Sequence, residues 1–229
     1  MGILYIIATP IGNLKDITLR AVEILKEVDF IVCEDTRQTL KLLNHYNINK
    51  PLISYFQHSK LSKIEQIAAE LAQGKKLALV TDAGTPGISD PGGLLIKYIT
   101  DNIKQKLGEI KIIPIPGPCA AITALSFSGF PADKFLFLGF PPRKHGRRKF
   151  FNEATASRYT VVFYESCHRI EKSMEQLKEL APEKPMVVCR ELTKQFESIY
   201  RGTAGEILTV LQNDKNNLKG EFVVIINGK

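Results

Sequence analysis

The sequence predicts an α/β protein of two domains, with a mainly parallel sheet in the N-terminal half and a mixed sheet in the C-terminal half. Three observations carry this expectation. Apolar strand-like runs and amphipathic helical stripes alternate through about residue 117, the pattern of a parallel sheet wound with helices. Several of those strands empty into Gly/Pro-rich loops, where open α/β sheets bind ligands. Between Pro185 and Gly202 two strand-like runs follow in close succession, a hairpin signal that breaks the alternation. The domains are expected at 1–117 and 118–229, and 229 residues with 44% hydrophobic content can fill both cores.

The first strand, residues 4–8, ends in Thr9-Pro10-Ile11-Gly12-Asn13, a rigid turn. Asp16 then opens a helix whose Ile17, Ala21, Ile24, Leu25 and Val28 form one apolar stripe. A strand over 29–33 delivers Glu34, Asp35, Thr36 and Arg37 to its end. Asp35 or Thr36 suits a helix N-cap; alternatively the cluster lines a site, with the planar fork of Arg37 suited to phosphate. A brief strand over 51–55 precedes a helix striped by Leu61, Ile64, Ile67, Ala68 and Leu71 and closed by Gly74.

Residues 76–81 read as a buried strand that runs into a loop with four Gly, two Pro and two Asp in twelve residues. Glycine lets backbone approach a ligand closely, proline stiffens the path, and Asp82 stands at the strand's carboxyl end. A tight connection without function is the alternative. A helix over 94–103 follows, then a strand over 110–115 that enters Pro116-Gly117-Pro118-Cys119-Ala120-Ala121. Small residues there leave room at the amino end of the next helix.

The second half continues with strands at 135–139, 159–164, 186–191, 196–201 and 221–227. Polar groups gather at two strand ends, Tyr164 to Arg169 and Arg190 to Lys194. There Ser166 reads equally well as a helix cap with His168 covering the helix start. Disorder is expected at the ends and at residues 213–219.

The net charge of +7 favours a polyanionic partner. Part of the excess is local: Arg143, Lys144, Arg147, Arg148 and Lys149 place five cations in seven residues, before Phe150 and Phe151. That run reads as a nucleic-acid contact or as a solvated helix start. Cys33, Cys119, Cys167 and Cys189 are scattered and read as reduced thiols, and no His/Cys pattern suits a metal. No apolar run reaches the roughly 20 residues that span a bilayer, so a cytoplasmic protein is expected.

The motifs ATPIGNLKDITLRA (8–21), CEDTRQT (33–39), LVTDAGTPGISDPG (79–92), IPIPGPCAAITAL (113–125), FLGFPPRK (137–144), FYESCHR (163–169), RELTKQFE (190–197) and YRGT (200–203) together resemble one family. It is the bacterial ribosomal RNA small-subunit methyltransferase I group, of the tetrapyrrole-methylase (class III) type. The resemblance implies two α/β domains with S-adenosylmethionine in the cleft between them, and 2′-O-methylation of a cytidine ribose in the decoding region of small-subunit RNA. It also implies a homodimer acting on that RNA or on the assembled subunit. Where the family usually has Ser, this chain has Thr81 and Cys119; where it has Leu, this chain has Pro141. Thr81 keeps a hydroxyl, whereas Cys119 brings a weaker donor.

By the same resemblance the donor lies against Pro10, Asp82, Ala83, Gly84, Thr85, Ile88, Gly117, Cys119, Ala120, Ala121, Phe140 and Glu191. Glu34, Asp35, Glu191 and Lys194 are candidates for helping the weakly acidic 2′-OH to react. Arg37, Arg143, Lys144, Arg147, Arg148 and Arg169 are candidate phosphate contacts. A small-molecule methyltransferase acting on a tetrapyrrole is the rival enzyme, and an RNA-binding relative without chemistry is the rival from another class. Five cations in residues 143–149 favour RNA over a tetrapyrrole, and the Gly/Pro loops favour an enzyme.

Overall fold

The computed structural model describes residues 1–56, 59–102 and 108–228, and the chain divides into two compact units, Met1–Cys119 and Ala120–Lys229. The first unit holds strands β1 (Gly2–Ile7), β2 (Phe30–Cys33), β3 (Leu52–Ser54), β4 (Lys76–Leu79) and β5 (Ile110–Ile115). Between them lie helices α1 (Leu19–Glu27), α2 (Thr36–His45), α3 (Leu61–Ala72) and α4 (Gly93–Asn102). The sheet order is β3-β2-β4-β1-β5, and every pairing is parallel. Ile103, the expected end of α4, lies outside the described residues.

Parallel strands covered on both faces read as continuous apolar runs, because alternate side chains enter two different cores. Strand β4 does this: Leu77 and Leu79 pack with Ile64, Ile67, Leu95 and Ile99 of α3 and α4. Ala78 and the following Val80 pack with Ala21, Leu25 and Leu43 of α1 and α2 on the opposite face. Helix α1 begins later than Asp16 suggests. Thr18 is its N-cap, accepting from the Ala21 amide, while Asp16 belongs to a separate one-turn 3-10 helix, Leu14–Asp16.

The second unit holds α5 (Ala120–Ser128), β6 (Phe135–Phe137), α6 (Arg147–Ala156), β7 (Thr160–Ser166), α7 (Ile170–Leu180), β8 (Met186–Arg190), β9 (Ser198–Gly202), α8 (Ala204–Asn213) and β10 (Glu221–Ile226). Its sheet order is β6-β7-β10-β8-β9. Only β6 and β7 pair in parallel, and β8 and β9 form the expected antiparallel hairpin, so the sheet is mixed. Phe151, Phe163, Met174, Val188, Ile207 and Phe222 fill one core between that sheet and helices α6, α7 and α8.

Residues 213–219, expected to be disordered, are instead structured. Asp214 caps a 3-10 helix, Lys215–Leu218, by accepting from the Asn216 amide at 2.8 Å, and Leu218 packs against the core. The apolar Leu218 anchors a segment whose other residues are polar.

Candidate active site

The loops at the carboxyl ends of the first sheet are tied to one another by hydrogen bonds. In the order β3-β2-β4-β1-β5 the chain leaves β2 towards β3 in one direction and leaves the adjacent β4 towards β5 in the other. Such a reversal opens a crevice beyond the strand ends. Glu34 and Asp35 follow β2 there, and Asp82 follows β4. The two sides are joined directly: the Asp35 amide donates to Asp82 Oδ1 at 3.1 Å.

Further bonds fix the neighbouring loops. Thr9 and Gly84 exchange backbone bonds of 2.9 and 3.0 Å, and the Thr9 hydroxyl donates to the Thr81 carbonyl at 3.0 Å. The Thr85 hydroxyl donates to the Pro118 carbonyl at 3.0 Å, tying the loop after β4 to the loop after β5. Gly84 sits at φ +86°, where a side chain is strained. At Gly117 a Cβ would come within 2.9 Å of the Ala8 Cβ. Pro10 and Gly84 are buried, Asp82 and Ala83 are exposed, and Ile88 presents 40% of its surface. The Thr81 hydroxyl is buried and finds no hydrogen-bond partner among the described residues, an unmet polar group in the floor of the loop.

The four proposed catalytic side chains divide by electrostatics. Burial raises the Glu34 pKa, with the charges of Asp82 and Asp35 adding to the effect. Asp35 is held at about 2, chiefly by its side-chain bonds to Arg37, whose guanidinium reaches both carboxylate oxygens at 3.1 and 2.7 Å. Asp35 is also the N-cap of α2, so the capping alternative holds for it while Arg37 stays on an exposed surface. The Glu191 pKa is raised by burial but lowered on balance by the Lys194 ammonium and the Glu221 amide. Burial lowers the Lys194 pKa, but bonds to Glu191 and Glu221 at 2.8 and 2.6 Å raise it overall. A carboxylate held near pKa 2, a second one lowered by its ammonium partner and an ammonium held charged are all poor proton acceptors, which leaves Glu34 as the best suited of the four.

Within the second unit, Ala120 and Ala121 open α5, and the Ala121 amide donates to the Tyr164 hydroxyl at 3.2 Å. Phe140 exposes 50% of its surface and tilts against Tyr164 at 5.4 Å between ring centroids. Glu191 at φ 51° and Thr193 at φ 66° are left-handed without being glycine, a strain that clusters at functional sites. Cys119 is half-buried with a free thiol.

The basic run does not form a single surface. Arg143, Lys144, Arg148 and Lys149 are exposed, but Arg147 is only 6% exposed, which corrects its assignment to phosphate. Its guanidinium donates to Ser173 Oγ at 2.7 Å and Gln176 Oε1 at 2.9 Å, approaches Glu165 at 3.4 Å, and lies over the Phe151 ring. Arg169 is likewise engaged inward, with Glu165 at 3.0 Å and the Pro141 carbonyl at 2.8 Å. Ser166 accepts from Arg169 Nε at 3.1 Å, and α7 has no side-chain cap.

Three groups that the sequence reading gave no role in the site hold these segments in place: Thr9, Glu165 and Ser173. Signals for the inward turn of Arg147 and for Glu165 were present. Arg147, Phe151 and Ala154 fall at i, i+4 and i+7 on one helical face, and Glu165 interrupts a buried strand four residues before Arg169.

Residues 3–208 match the family of tetrapyrrole (corrin/porphyrin) methylases. The chain is 46% identical over 229 residues to the ribosomal RNA small subunit methyltransferase I of Escherichia coli O157:H7, covering 99% of this chain and 78% of that protein. It is 43% identical to the protein of the same name from Bacillus subtilis, covering 100% and 76%. Among solved structures, the uroporphyrin-III-C-methyltransferase from Thermus thermophilus superposes with a TM-score of 0.68 at 17% identity, covering 100% of this chain and 95% of that one. A cobalt precorrin-4 methyltransferase superposes with 0.67 at 16%, covering 98% and 94%. The fold, the crevice beyond a parallel sheet and the near full-length identities agree: the chain belongs to the tetrapyrrole methylase family and, within it, to the ribosomal RNA small subunit methyltransferase I group.

Proposed function

We propose that this protein uses S-adenosylmethionine to methylate the ribose 2′-oxygen of a cytidine in small-subunit ribosomal RNA, as a cytoplasmic homodimer. The observation that carries the reading is 43–46% identity across nearly the whole chain to relatives named for small-subunit RNA. The solved corrin and porphyrin enzymes, at 16–17% identity, share the fold, and fold alone does not set a substrate.

Features of the loops after β2 and β4 support a donor site there. Glycines admit a ligand against the backbone, the buried Thr81 hydroxyl is left for a partner, and Asp82, Asp35 and Glu34 make the loop cluster acidic, which suits a sulfonium cation. When bound, the donor supplies a methyl carbon on positively charged sulfur, already reactive, so positioning is the main task. Glu34 accepts the 2′-OH proton as the oxygen attacks. Burial, with the charges of Asp82 and Asp35, holds that carboxylate at a raised pKa, closer to the working pH, where a base is most effective.

Asp82 also braces the crevice. Asp82→Ala removes the acceptor for the Asp35 amide, and losing one such bond costs about 1 kcal/mol. Donor affinity measured by calorimetry should fall about fivefold. Equal affinity in a folded variant contradicts the brace.

For the RNA, the exposed cations sit at the amino end of α6, which has no acidic residue in its first turn and no side-chain cap. Such a terminus attracts phosphate. Arg143→Ala with Arg148→Ala should leave donor affinity unchanged and flatten the salt dependence of RNA binding by about 0.7 to 0.9 log units for each phosphate no longer neutralised. An unchanged slope returns these residues to a solvated helix face.

A direct competition tests the reading itself. Purified protein given labelled donor, small ribosomal subunits and uroporphyrinogen together should label the RNA alone. Label on the tetrapyrrole overturns the proposal.

A further inference from the structure

The buried carboxylate of Glu165 joins the two halves of a small anchor. Glu165 is 1% exposed, and four donors surround it. Oε1 receives the Ser166 amide at 2.8 Å and Arg169 at 3.0 Å. Oε2 receives the Ser173 hydroxyl at 2.6 Å and Arg147 at 3.4 Å. With its proton directed at the carboxylate, Ser173 Oγ accepts from Arg147 Nη2 at 2.7 Å. The one carboxylate is shared by two guanidiniums and fully hydrogen-bonded, as a buried ionic group requires.

Both guanidiniums also reach outward to the same place. Arg169 Nη1 donates to the Pro141 carbonyl at 2.8 Å, and Arg147 Nη1 approaches the Pro142 carbonyl at 3.4 Å. Pro141 and Pro142 lead directly into exposed Arg143 and Lys144, and Arg147 itself begins the helix that presents Arg148 and Lys149. Arginine side chains thus hold both proline carbonyls. The exposed cations therefore hang on a loop whose base is fixed by one interior carboxylate.

We propose that Glu165 is a positioning residue for RNA recognition: through Arg147 and Arg169 it holds residues 141–149 in the conformation that presents the exposed cations to phosphate. This rests on the RNA reading above. It makes a prediction opposite in sign to simple electrostatics. Glu165→Gln removes a negative charge and no cation, so charge alone strengthens RNA binding. Without the anchor, binding weakens.

The test uses the full-length protein, S-adenosylmethionine and small ribosomal subunits, with Glu165→Gln and the less buried Arg169→Gln measured side by side. Both variants should raise KM for subunits roughly tenfold, with kcat and donor affinity unchanged, the signature of weakened uniform binding. Both should flatten the salt slope by more than the roughly 0.9 log units that one phosphate explains. Tighter or unchanged binding by Glu165→Gln overturns the proposal. If that variant does not fold, Arg169→Gln decides: a slope reduced by one phosphate or less, or a fall in kcat and donor affinity along with the rise in KM, overturns it equally. A parent protein that labels no RNA refutes the RNA reading instead, so the two failures are distinct.

Discussion

Glu34→Gln lowers the rate of methyl transfer by about 10²- to 10⁴-fold, the range for removing a well-placed proton acceptor, while donor affinity stays within about twofold of the parent. The amide keeps the size of the side chain and cannot take the proton. The parent's rate should rise with pH through the Glu34 pKa, because the carboxylate is the active form. That limb lies above the ordinary value of 4.5, since burial and the charges of Asp82 and Asp35 favour the protonated acid. Stability moves the other way. The folded-state pKa is raised above the unfolded one, so the group's stabilising contribution is present below the unfolded value and is lost as pH rises through the folded value. At neutral pH its charge opposes folding, and Glu34→Gln should raise Tm slightly while slowing turnover. A variant with parental kcat assigns the proton to another acceptor.

Arg147→Ala lowers stability by about 3 kcal/mol, the lower end of the cost of breaking a buried pair, because Arg169 still neutralises Glu165. The variant leaves Ser173 and Gln176 without their donor and removes the guanidinium from the Phe151 ring. Urea denaturation should show the lower midpoint with an unchanged m-value. Arg148→Ala, one residue further and exposed, should change stability by less than about 0.5 kcal/mol. Equal stabilities for the two variants would restore Arg147 to the outer surface.

That contrast shows where the sequence is legible. Charge alone makes Arg147 and Arg148 equivalent; the helical stripe with Phe151 and Ala154 separates them, but the acceptors that decide the matter lie 18 and 26 residues away in β7 and α7. Composition carries no record of such distances. The strand ends were legible because β4 is apolar on both faces and then meets a loop that no strand or helix can extend through. The start of α1 was not: Asp16 and Thr18 are both good caps, and only the Ala21 amide shows which one is used. Among the carboxylates, sequence offered Glu34 and Asp35 as equals. Arg37 distinguishes them by seizing Asp35 with both arms, a geometry that the order of residues leaves open.

The ribose assignment is tested most directly by the chemistry of the product. Small ribosomal subunits are incubated with the protein and labelled donor, the RNA is hydrolysed in alkali, and the labelled fragment is mapped. A methylated 2′-oxygen can no longer attack the adjacent phosphodiester, so one new alkali-resistant link should appear, at a cytidine, carrying the label. A labelled base beside a phosphodiester that alkali still cleaves contradicts the account.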